Sequence, residues 1–292
     1  MLRVIDFLYA IYMILLLLFV LGLCVGSFLN VLADRLPKGG DVIRGRSHCD
    51  FCRHKLRWYE LIPLLSFFIQ QGKSRCCKKQ LSLQYPLSEL ATGVGFVLIY
   101  SFQSFLLRQG YGGQAAVSPD IIGVSFQMDI QSLLNIVRIT SYFVLLSSFT
   151  VIFISDLKYE IIPIEMIIVG FITALIYHGI TFINFITVIN VIFSGFSAGL
   201  FFFSLWFFTK GKAMGDGDIY LATLIGFLLG FPDIVIALYA AFLTGAMVGI
   251  ILILRRKKSL KAHIPFGPFL IIGYGITIMW GEQILQIWRL LW

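Results

Sequence analysis

Residues 7–33 read FLYAIYMILLLLFVLGLCVGSFLNVLA and contain no charged side chain. An apolar run of this length exceeds the ~20 residues that a helix needs to cross the hydrocarbon core of a bilayer. It is also too long for the apolar region of a cleavable signal peptide, so we expect it to remain as a first membrane span. The stretch therefore predicts a fold that is embedded in a membrane.

The composition of the whole chain agrees with this expectation. Of its 292 residues, 59% are hydrophobic and only 13% are charged, which is too little polar surface for a soluble protein. Backbone groups in lipid must satisfy their own hydrogen bonds, and apolar runs without alternation favour helices over a barrel. We therefore predict an all-α polytopic membrane protein that has lipid as its surroundings and no nucleic acid as a partner.

The apolar runs define about eight transmembrane helices. The fourth and sixth runs fall short of ~20 residues, so we expect them to be tilted against neighbours or only partly inserted. The predicted spans are residues 7–33, 90–107, 133–155, 166–180, a run within 181–209, and residues 219–232, 234–254 and 264–281.

The basic residues give the orientation of these spans. Nineteen of the 23 Lys and Arg residues lie in the loops after spans one, three, five and seven, and the net charge is +8. The positive-inside rule places those loops in the cytoplasm and both termini outside. We expect three domains: a first transmembrane helix (1–33), a cytoplasmic cysteine-containing domain (34–89) and a seven-helix transmembrane domain (90–292). A glycine-containing segment at 108–131 is expected to be a flexible external loop.

The cytoplasmic domain has the spacing of a zinc-knuckle-like site. Cys49 and Cys52 form a CxxC pair, and the adjacent Cys76 and Cys77 follow after 23 intervening residues. In the reducing cytosol such cysteines favour a metal over disulfides, and zinc takes four ligands of this kind. The second pair is irregular because Ser74 stands where a cysteine would complete a second CxxC. The fourth ligand is therefore Cys76, His48 or His54, and reduced surface thiols without metal are the alternative.

The same domain carries an apolar patch at residues 61–69 that is interrupted by Pro63. It is too short to span a bilayer. Three alternatives remain open at this point: the patch lies on the bilayer surface, forms a re-entrant wall over an active site, or packs beneath the cysteine site.

Two aspartates stand at the cytoplasmic ends of predicted spans. Asp156 follows the third span, and Asp218 precedes the sixth within the sequence Gly215-Asp216-Gly217-Asp218. Acidic residues in a membrane cost roughly 2.5–3.5 kcal/mol at its centre, so they tend to be functional. Taken singly, Asp218 could be only an N-cap and Asp156 only a loop residue. Because glycines permit positive φ and close approach, Gly215 and Gly217 favour a substrate backbone beside Asp218.

If Asp156 and Asp218 meet, their chemistry follows from their contact. Two adjacent carboxyls share one proton, so the ionised member can activate water while the protonated member polarises a carbonyl. Asp216 is the rival for this role, because spacing alone does not exclude it. The sequence therefore predicts an aspartic protease at the cytoplasmic edge of the membrane.

Several motifs are spread over nearly the whole chain. The motifs are Gly26-Ser27-Phe28-Leu29-Asn30-Val31, Arg35-Leu36-Pro37, Trp58, Glu60, Pro63, Ser66, Tyr85-Pro86, Glu89, Asp156-Leu157, Ile162-Pro163, Gly215-Asp216-Gly217-Asp218 and Pro265-Phe266-Gly267-Pro268. Together they resemble the type IV prepilin peptidases, the bacterial leader peptidase/N-methyltransferases of the GxGD aspartic protease group.

This resemblance implies Asp156 and Asp218 as the catalytic pair and 90–292 as the peptidase domain, in the bacterial inner membrane. It implies cleavage of the leader from type IV prepilin or type II secretion pseudopilin precursors. It also implies N-methylation of the new N-terminus with S-adenosylmethionine, for which Glu60 and Glu89 are our candidates as cofactor-binding residues. The implied metal ligands are Cys49, Cys52, Cys76 and Cys77.

Two other functions remain as alternatives. Because Ser74 departs from the usual pair of CxxC motifs, the protein could be a peptidase without methyltransferase activity. The other alternative is not an enzyme but a transporter with intramembrane acidic sites. It would require polar residues deep in several spans, and the spans are nearly free of charge.

Overall fold

The computed structural model describes residues 2–42, 45–49, 51–110, 130–181, 184–212, 214–254 and 264–291. Most of the predicted external loop, residues 111–129, and the basic residues at 255–261 lie outside these ranges.

The described ranges contain helices and turns and no β-strand, so the all-α prediction is confirmed. Two short 3₁₀ helices, Leu36–Lys38 and Trp58–Leu61, accompany the α-helices. The α-helices are α1 (Leu2–Arg35), α2 (Leu65–Ile69), α3 (Gln84–Gly110), α4 (Ile130–Tyr159), α5 (Ile164–Thr181), α6 (Phe185–Thr209), α7 (Gly217–Leu229), α8 (Asp233–Leu254) and α9 (Gly267–Leu291).

Each of these α-helices except α2 overlaps with one predicted span. Helices α1, α4, α6, α8 and α9 contain segments that are long and apolar enough to cross a membrane. Helices α5 and α7 are shorter apolar helices, in agreement with the short fourth and sixth runs of the sequence. The protein is therefore a polytopic helical membrane protein.

The ends of the helices differ from the ends of the apolar runs. Helix α4 continues to Tyr159, four residues beyond the predicted end of its span, and α3 begins at Gln84, before the apolar run at 90. The reason is that backbone hydrogen bonding determines where a helix ends, whereas hydropathy shows only which part of it faces lipid. As a result Asp156 lies inside the last turn of α4 and not in the loop after it.

The chain divides into two compact units. The first comprises Met1–Arg35 with Gly40–Thr150, and the second comprises Leu36–Gly39 with Val151–Trp292. In the first unit α1 packs along α3. In the second unit α7 contacts α5, α6, α8 and α9, and Leu221, Ala222, Leu224 and Ile225 on α7 are completely buried. A helix enclosed by four others can be short, because neighbouring helices cover its apolar side chains and it need not match the thickness of the lipid.

Candidate functional site

Three helix ends meet around the two aspartates in the second unit. Asp156 lies near the end of α4 and Asp218 in the first turn of α7, and each side chain is only 5% exposed. The two are close enough for the charge of Asp156 to act on the carboxyl of Asp218. The beginning of α9 completes the group, since the backbone N–H of Gly267 donates a 3.0 Å hydrogen bond to Asp156 Oδ2.

The environment of the Asp218 carboxyl is only partly polar. The backbone N–H of Gly215 donates a hydrogen bond to this carboxyl. Among the described residues, however, the buried Oδ1 of Asp218 has no hydrogen-bond partner. A buried polar atom without a partner costs stability, so such an atom often marks a place where water or a substrate group binds.

Asp216 has a different role from Asp218. It is exposed, and its side chain caps α7 by accepting a 3.0 Å hydrogen bond from the N–H of Gly217. The alternative in which Asp218 only caps this helix is therefore wrong, because Asp216 is the N-cap. Burial beside Asp156 thus distinguishes Asp218 from its rival, although catalysis by either residue stays a prediction.

Close packing explains the glycine at Gly217 better than backbone conformation does. Neither Gly215 nor Gly217 has a positive φ, so that expectation is wrong. A Cβ at position 217 would lie 2.8 Å from Cβ of Ile162, and one at Gly267 would lie 2.6 Å from Asp156 Oδ2. Both glycines are thus needed so that the three helix ends can approach one another. The close approach of a substrate backbone to Gly215 and Gly217 stays a prediction.

The four cysteines between α1 and α3 form a second cluster, in the first unit. The sulfur atoms of Cys49, Cys52, Cys76 and Cys77 all lie within 4.8 Å of one another. Such a cluster could hold a metal ion. Neither His48 nor His54 belongs to it within the described part of the chain.

Two hairpins with the same backbone pattern carry this cluster. The first hairpin (residues 48–55) and the second hairpin (residues 73–80) are each closed by one antiparallel bridge. In each hairpin the N–H of one residue donates to the carbonyl of the residue five positions later. The carbonyl of that same residue accepts a hydrogen bond from the N–H four positions later. That residue is Cys49 in the first hairpin and Ser74 in the second. Ser74 thus occupies the ligand position of a regular second CxxC.

Cys76 supplies the sulfur that Ser74 lacks. Its Sγ lies 2.9 Å from Sγ of Cys52, two residues beyond the position where the hairpin pattern expects a ligand. Ser74 is itself 3% exposed, and its Oγ lies 3.2 Å from Sγ of Cys49 and 3.1 Å from Sγ of Cys76. The hydroxyl is therefore placed to donate its single hydrogen to one of these two sulfurs.

The crowding of the thiols affects their protonation. Burial acts to raise the pKa of Cys49, but hydrogen bonds from Ser74 and from backbone N–H groups outweigh it and lower this pKa to about 6. The hydrogen bond between Cys52 and Cys76 instead raises the pKa of Cys52 to about 12. Several thiolates at such short range repel one another, and a bound cation removes that repulsion.

The two glutamates that we expected to bind a cofactor make hydrogen bonds within the domain. Oε2 of Glu60 accepts a 2.7 Å hydrogen bond from the N–H of Arg57 at the start of a 3₁₀ helix. Oε2 of Glu89 accepts a 2.9 Å hydrogen bond from the N–H of Leu64, and Ser27 also bonds to this carboxylate. Their assignment to a cofactor stays a prediction.

Two family models match the chain. The model of the bacterial peptidase A24 N-terminal domain matches residues 20–102, which include the cysteine cluster. The model of the type IV leader peptidase family matches residues 143–250, which include both aspartates. The chain belongs to the type IV leader peptidase family. No solved structure matches the chain significantly.

Curated relatives carry the name prepilin leader peptidase/N-methyltransferase. The Myxococcus xanthus relative is 30% identical over 83% of this chain, and the chain spans only 64% of that relative's length. The Bacillus subtilis relative is 28% identical over 93% of this chain and 96% of its own length. The Aeromonas hydrophila relative is 29% identical over 92% of both chains. This type IV leader peptidase is thus similar to these enzymes across both of its sites.

The sequence did not assign the groups that position the site residues of this leader peptidase. Gly267 belongs to the motif Pro265-Phe266-Gly267-Pro268, which gave a resemblance but no role for its N–H. Ile162 likewise belonged to a motif, and the structure shows that it packs against Gly217. The position of Ser74 was visible as an irregular spacing, but its contacts with two sulfurs were not.

Proposed function

We infer that this protein is a prepilin leader peptidase and N-methyltransferase. It cleaves the leader from type IV prepilin or type II secretion pseudopilin precursors and then methylates the new N-terminus. The observation that carries this proposal is the buried pair of Asp156 and Asp218 at the meeting point of α4, α7 and α9. The names of the relatives support both activities.

The peptidase reaction uses the two carboxyls as one unit. One member is ionised and takes a proton from water, which attacks the scissile carbonyl, while the protonated member donates a hydrogen bond to the carbonyl oxygen. Collapse of the intermediate breaks the C–N bond, and the leaving amine takes a proton. The apparent pKa values of this reaction belong to the pair and not to either residue. The free Oδ1 of Asp218 is available for the water or the carbonyl.

The proposed location is the bacterial inner membrane, with both termini outside and the aspartates at the cytoplasmic face. The distribution of Lys and Arg supports this orientation. A prepilin has a basic leader followed by an apolar helix, so its cleavage point lies where lipid meets the cytosol. The pair at the ends of α4 and α7 is expected at the same depth.

The cysteine cluster fits zinc. Zinc binds thiolates in structural sites with four ligands, and Cys49, Cys52, Cys76 and Cys77 provide four sulfurs from two hairpins. A bound zinc ion would crosslink the hairpins and neutralise the crowded thiolates, and it has no part in the peptide cleavage. Because Cys76 replaces the sulfur that Ser74 lacks, the irregular spacing is compatible with a complete site.

S-adenosylmethionine is the proposed methyl donor. When bound, it would supply the methyl group for the new N-terminal amine, which would lose a proton. We retain Glu60 and Glu89 as the candidate residues that would hold it. The described acids that are buried, Glu89, Asp156 and Asp218, all lie near helix ends, which does not favour the alternative of a transporter.

Co-expression with a prepilin substrate tests the proposal. The native chain is expected to cleave the substrate, whereas Asp156→Ala and Asp218→Ala lose this activity and Asp216→Ala keeps it. Mass spectrometry of the product N-terminus then tests the second activity. Cleavage without the added methyl group would leave a peptidase and remove the methyltransferase. Cleavage by both Asp156→Ala and Asp218→Ala would overturn the catalytic assignment.

A further inference from the structure

An apolar surface of the cytoplasmic domain has no protein cover in the described chain. It lies on the 3₁₀ helix Trp58–Leu61 and on α2, which pack against each other. We call it the apolar ridge. Its side chains and their exposed fractions are Trp58 78%, Leu61 41%, Leu65 59%, Phe68 71% and Ile69 80%.

The ridge is not the outer side of a core beneath the cysteine cluster. In α2 the side chain that turns inward is Phe67, whose ring lies 3.2 Å from a Cβ built at Gly72. The neighbouring Phe68 and Ile69 point away from the domain and keep most of their surface exposed. The alternative in which the patch packs under the metal site is therefore wrong for the ridge.

A hydrogen bond attaches the start of α2 to α3. The N–H of Leu64, directly before α2, donates to Glu89 Oε2 at 2.9 Å. Leu64 has a φ of +58°, which L-residues rarely adopt, so this contact holds an otherwise unfavourable turn. The start of α2 is thus linked to Glu89, a residue of α3.

The position of Glu89 gives the depth of the ridge. Glu89 directly precedes the predicted second span at 90–107. It also lies against α1, because a Cβ at Gly26 would be 2.8 Å from Cα of Glu89, and Gly26 is inside the predicted first span. The start of α2 is therefore at the level where the predicted second span begins and where α1 is still inside its predicted span.

Charge surrounds the ridge on its aqueous sides. Arg57 precedes it and Lys73 follows α2, and both are exposed. Segment 34–89 contains eleven Lys and Arg residues against five Asp and Glu residues. Basic residues are attracted to anionic headgroups, and exposed Trp and Phe side chains favour the boundary between headgroups and acyl chains.

We propose that the apolar ridge of Trp58, Leu61, Leu65, Phe68 and Ile69 is inserted into the cytoplasmic leaflet of the bilayer. The ridge contacts lipid, and it does not bind the prepilin substrate. This contact fixes the cytoplasmic domain against the membrane surface beside α1 and α3. The proposal requires only a membrane protein and is independent of the peptidase reaction.

Tryptophan quenching in lipid nanodiscs tests this contact. The full-length protein is reconstituted in phosphatidylethanolamine and phosphatidylglycerol, with and without lipid brominated in the upper acyl chain. The emission of Trp58 is obtained as the difference between the native protein and Trp58→Phe. A second probe is Phe68→Trp in the Trp58→Phe background. At both positions we expect a loss of emission with brominated lipid and little additional loss with aqueous acrylamide.

A matched control is Phe51→Trp in the same background. Phe51 is also an exposed aromatic residue of this domain, at 46%, but it lies in the first hairpin with Lys79 over its ring. We expect acrylamide to quench this probe and brominated lipid to spare it. Unchanged metal content in each variant shows that the domain is folded. The proposal is overturned if acrylamide quenches positions 58 and 68 as strongly as position 51, or if they become protected only when a prepilin is added.

Discussion

At the aspartate site the two carboxyls lie at the ends of two different helices, the long α4 and the short α7, whereas the cysteine cluster lies on two short hairpins of one domain. The aspartate site depends on glycines that allow backbone and side chains to come within contact distance. The cysteine cluster has a spare polar donor, Ser74, beside its four sulfurs. At the aspartate site, therefore, no other group can replace a lost carboxyl. In the cysteine cluster, the sulfur of Cys76 already stands in for the one that Ser74 lacks.

This difference has a physical origin. A long helix in a bundle moves as a rigid element, so a small displacement of α9 changes the position of Gly267 relative to Asp156. The turn of a short hairpin can instead rearrange locally and present a neighbouring side chain. We therefore expect substitutions to abolish activity at the aspartate site and to be graded, and in part reversible, at the cysteine cluster.

The largest effect is expected from the aspartates themselves. In Asp156→Asn or Asp218→Asn the pair can no longer share a proton, so prepilin cleavage should fall by about 10²–10⁴-fold. Cleavage rates of purified protein in detergent measure this change. Asp216→Asn is the matched control, since it alters an exposed N-cap and should retain activity. If Asp216→Asn loses cleavage and Asp218→Asn retains it, Asp216 is the catalytic residue and Asp218 is not.

The next largest effect is expected from the buried cysteine. Cys49→Ser removes a ligand, so zinc affinity should fall by more than the about 10–100-fold that is typical of losing a residue that only supports a ligand. Methylation should be lost with the metal, while cleavage of the leader persists. Metal analysis and mass spectrometry of the product measure the two outcomes.

Cys24→Ser is the control for this substitution, because Cys24 is exposed and lies in α1 outside the cluster. It should leave metal content and methylation unchanged. Equal zinc content in Cys49→Ser and the native protein would show that the cluster does not bind the metal.

An intermediate effect is expected from Gly267→Ala. Its new Cβ would lie 2.6 Å from Asp156 Oδ2, so the carboxylate must move and lose its present hydrogen bond. Displacement of a catalytic group by about 1 Å can lower the rate by about 10²-fold, and we expect a decrease of up to this size.

Gly275→Ala is a control on the same helix, since a Cβ there meets nothing within 4 Å. Helicity and thermal unfolding of both variants show whether α9 is intact. If the two alanine variants cleave prepilin equally well, the Gly267 N–H does not position Asp156.

The sequence predicted the helices better than it predicted their contacts. Among the described residues, long apolar runs predicted every α-helix except α2, because such runs mark helices that are buried in lipid or, like α7, among other helices. Charge distribution placed Asp156 and Asp218 at the same face, but their proximity also depends on Ile162 and Gly267. Those contacts join residues distant in the chain, and a single sequence contains no pattern that reports on such packing.

The same limit explains the cysteine cluster. Spacing predicted a metal site and left Cys76, His48 and His54 open as the fourth ligand. The structure brings the sulfur of Cys76 to the other three, which the spacing could not show. The equivalence of the two hairpins appears in their backbone hydrogen bonds and not in their residue types, and it places Ser74 at the position equivalent to Cys49. Cys76 as the fourth ligand stays a prediction.

The smallest effect on zinc affinity is expected from Ser74→Ala. Its size distinguishes Ser74, which supports the sulfurs, from the cysteines that we expect to bind the metal. In Ser74→Ala the four sulfurs remain but their hydroxyl partner is lost, so zinc affinity should fall by about 10-fold. Cys76→Ser should instead lose the metal, and adding Ser74→Cys to it should restore binding by rebuilding a regular second CxxC. Competition with a chelator measures all three affinities. If the double variant binds no metal, the two hairpins are not equivalent and the sulfur of Cys76 is required for another reason.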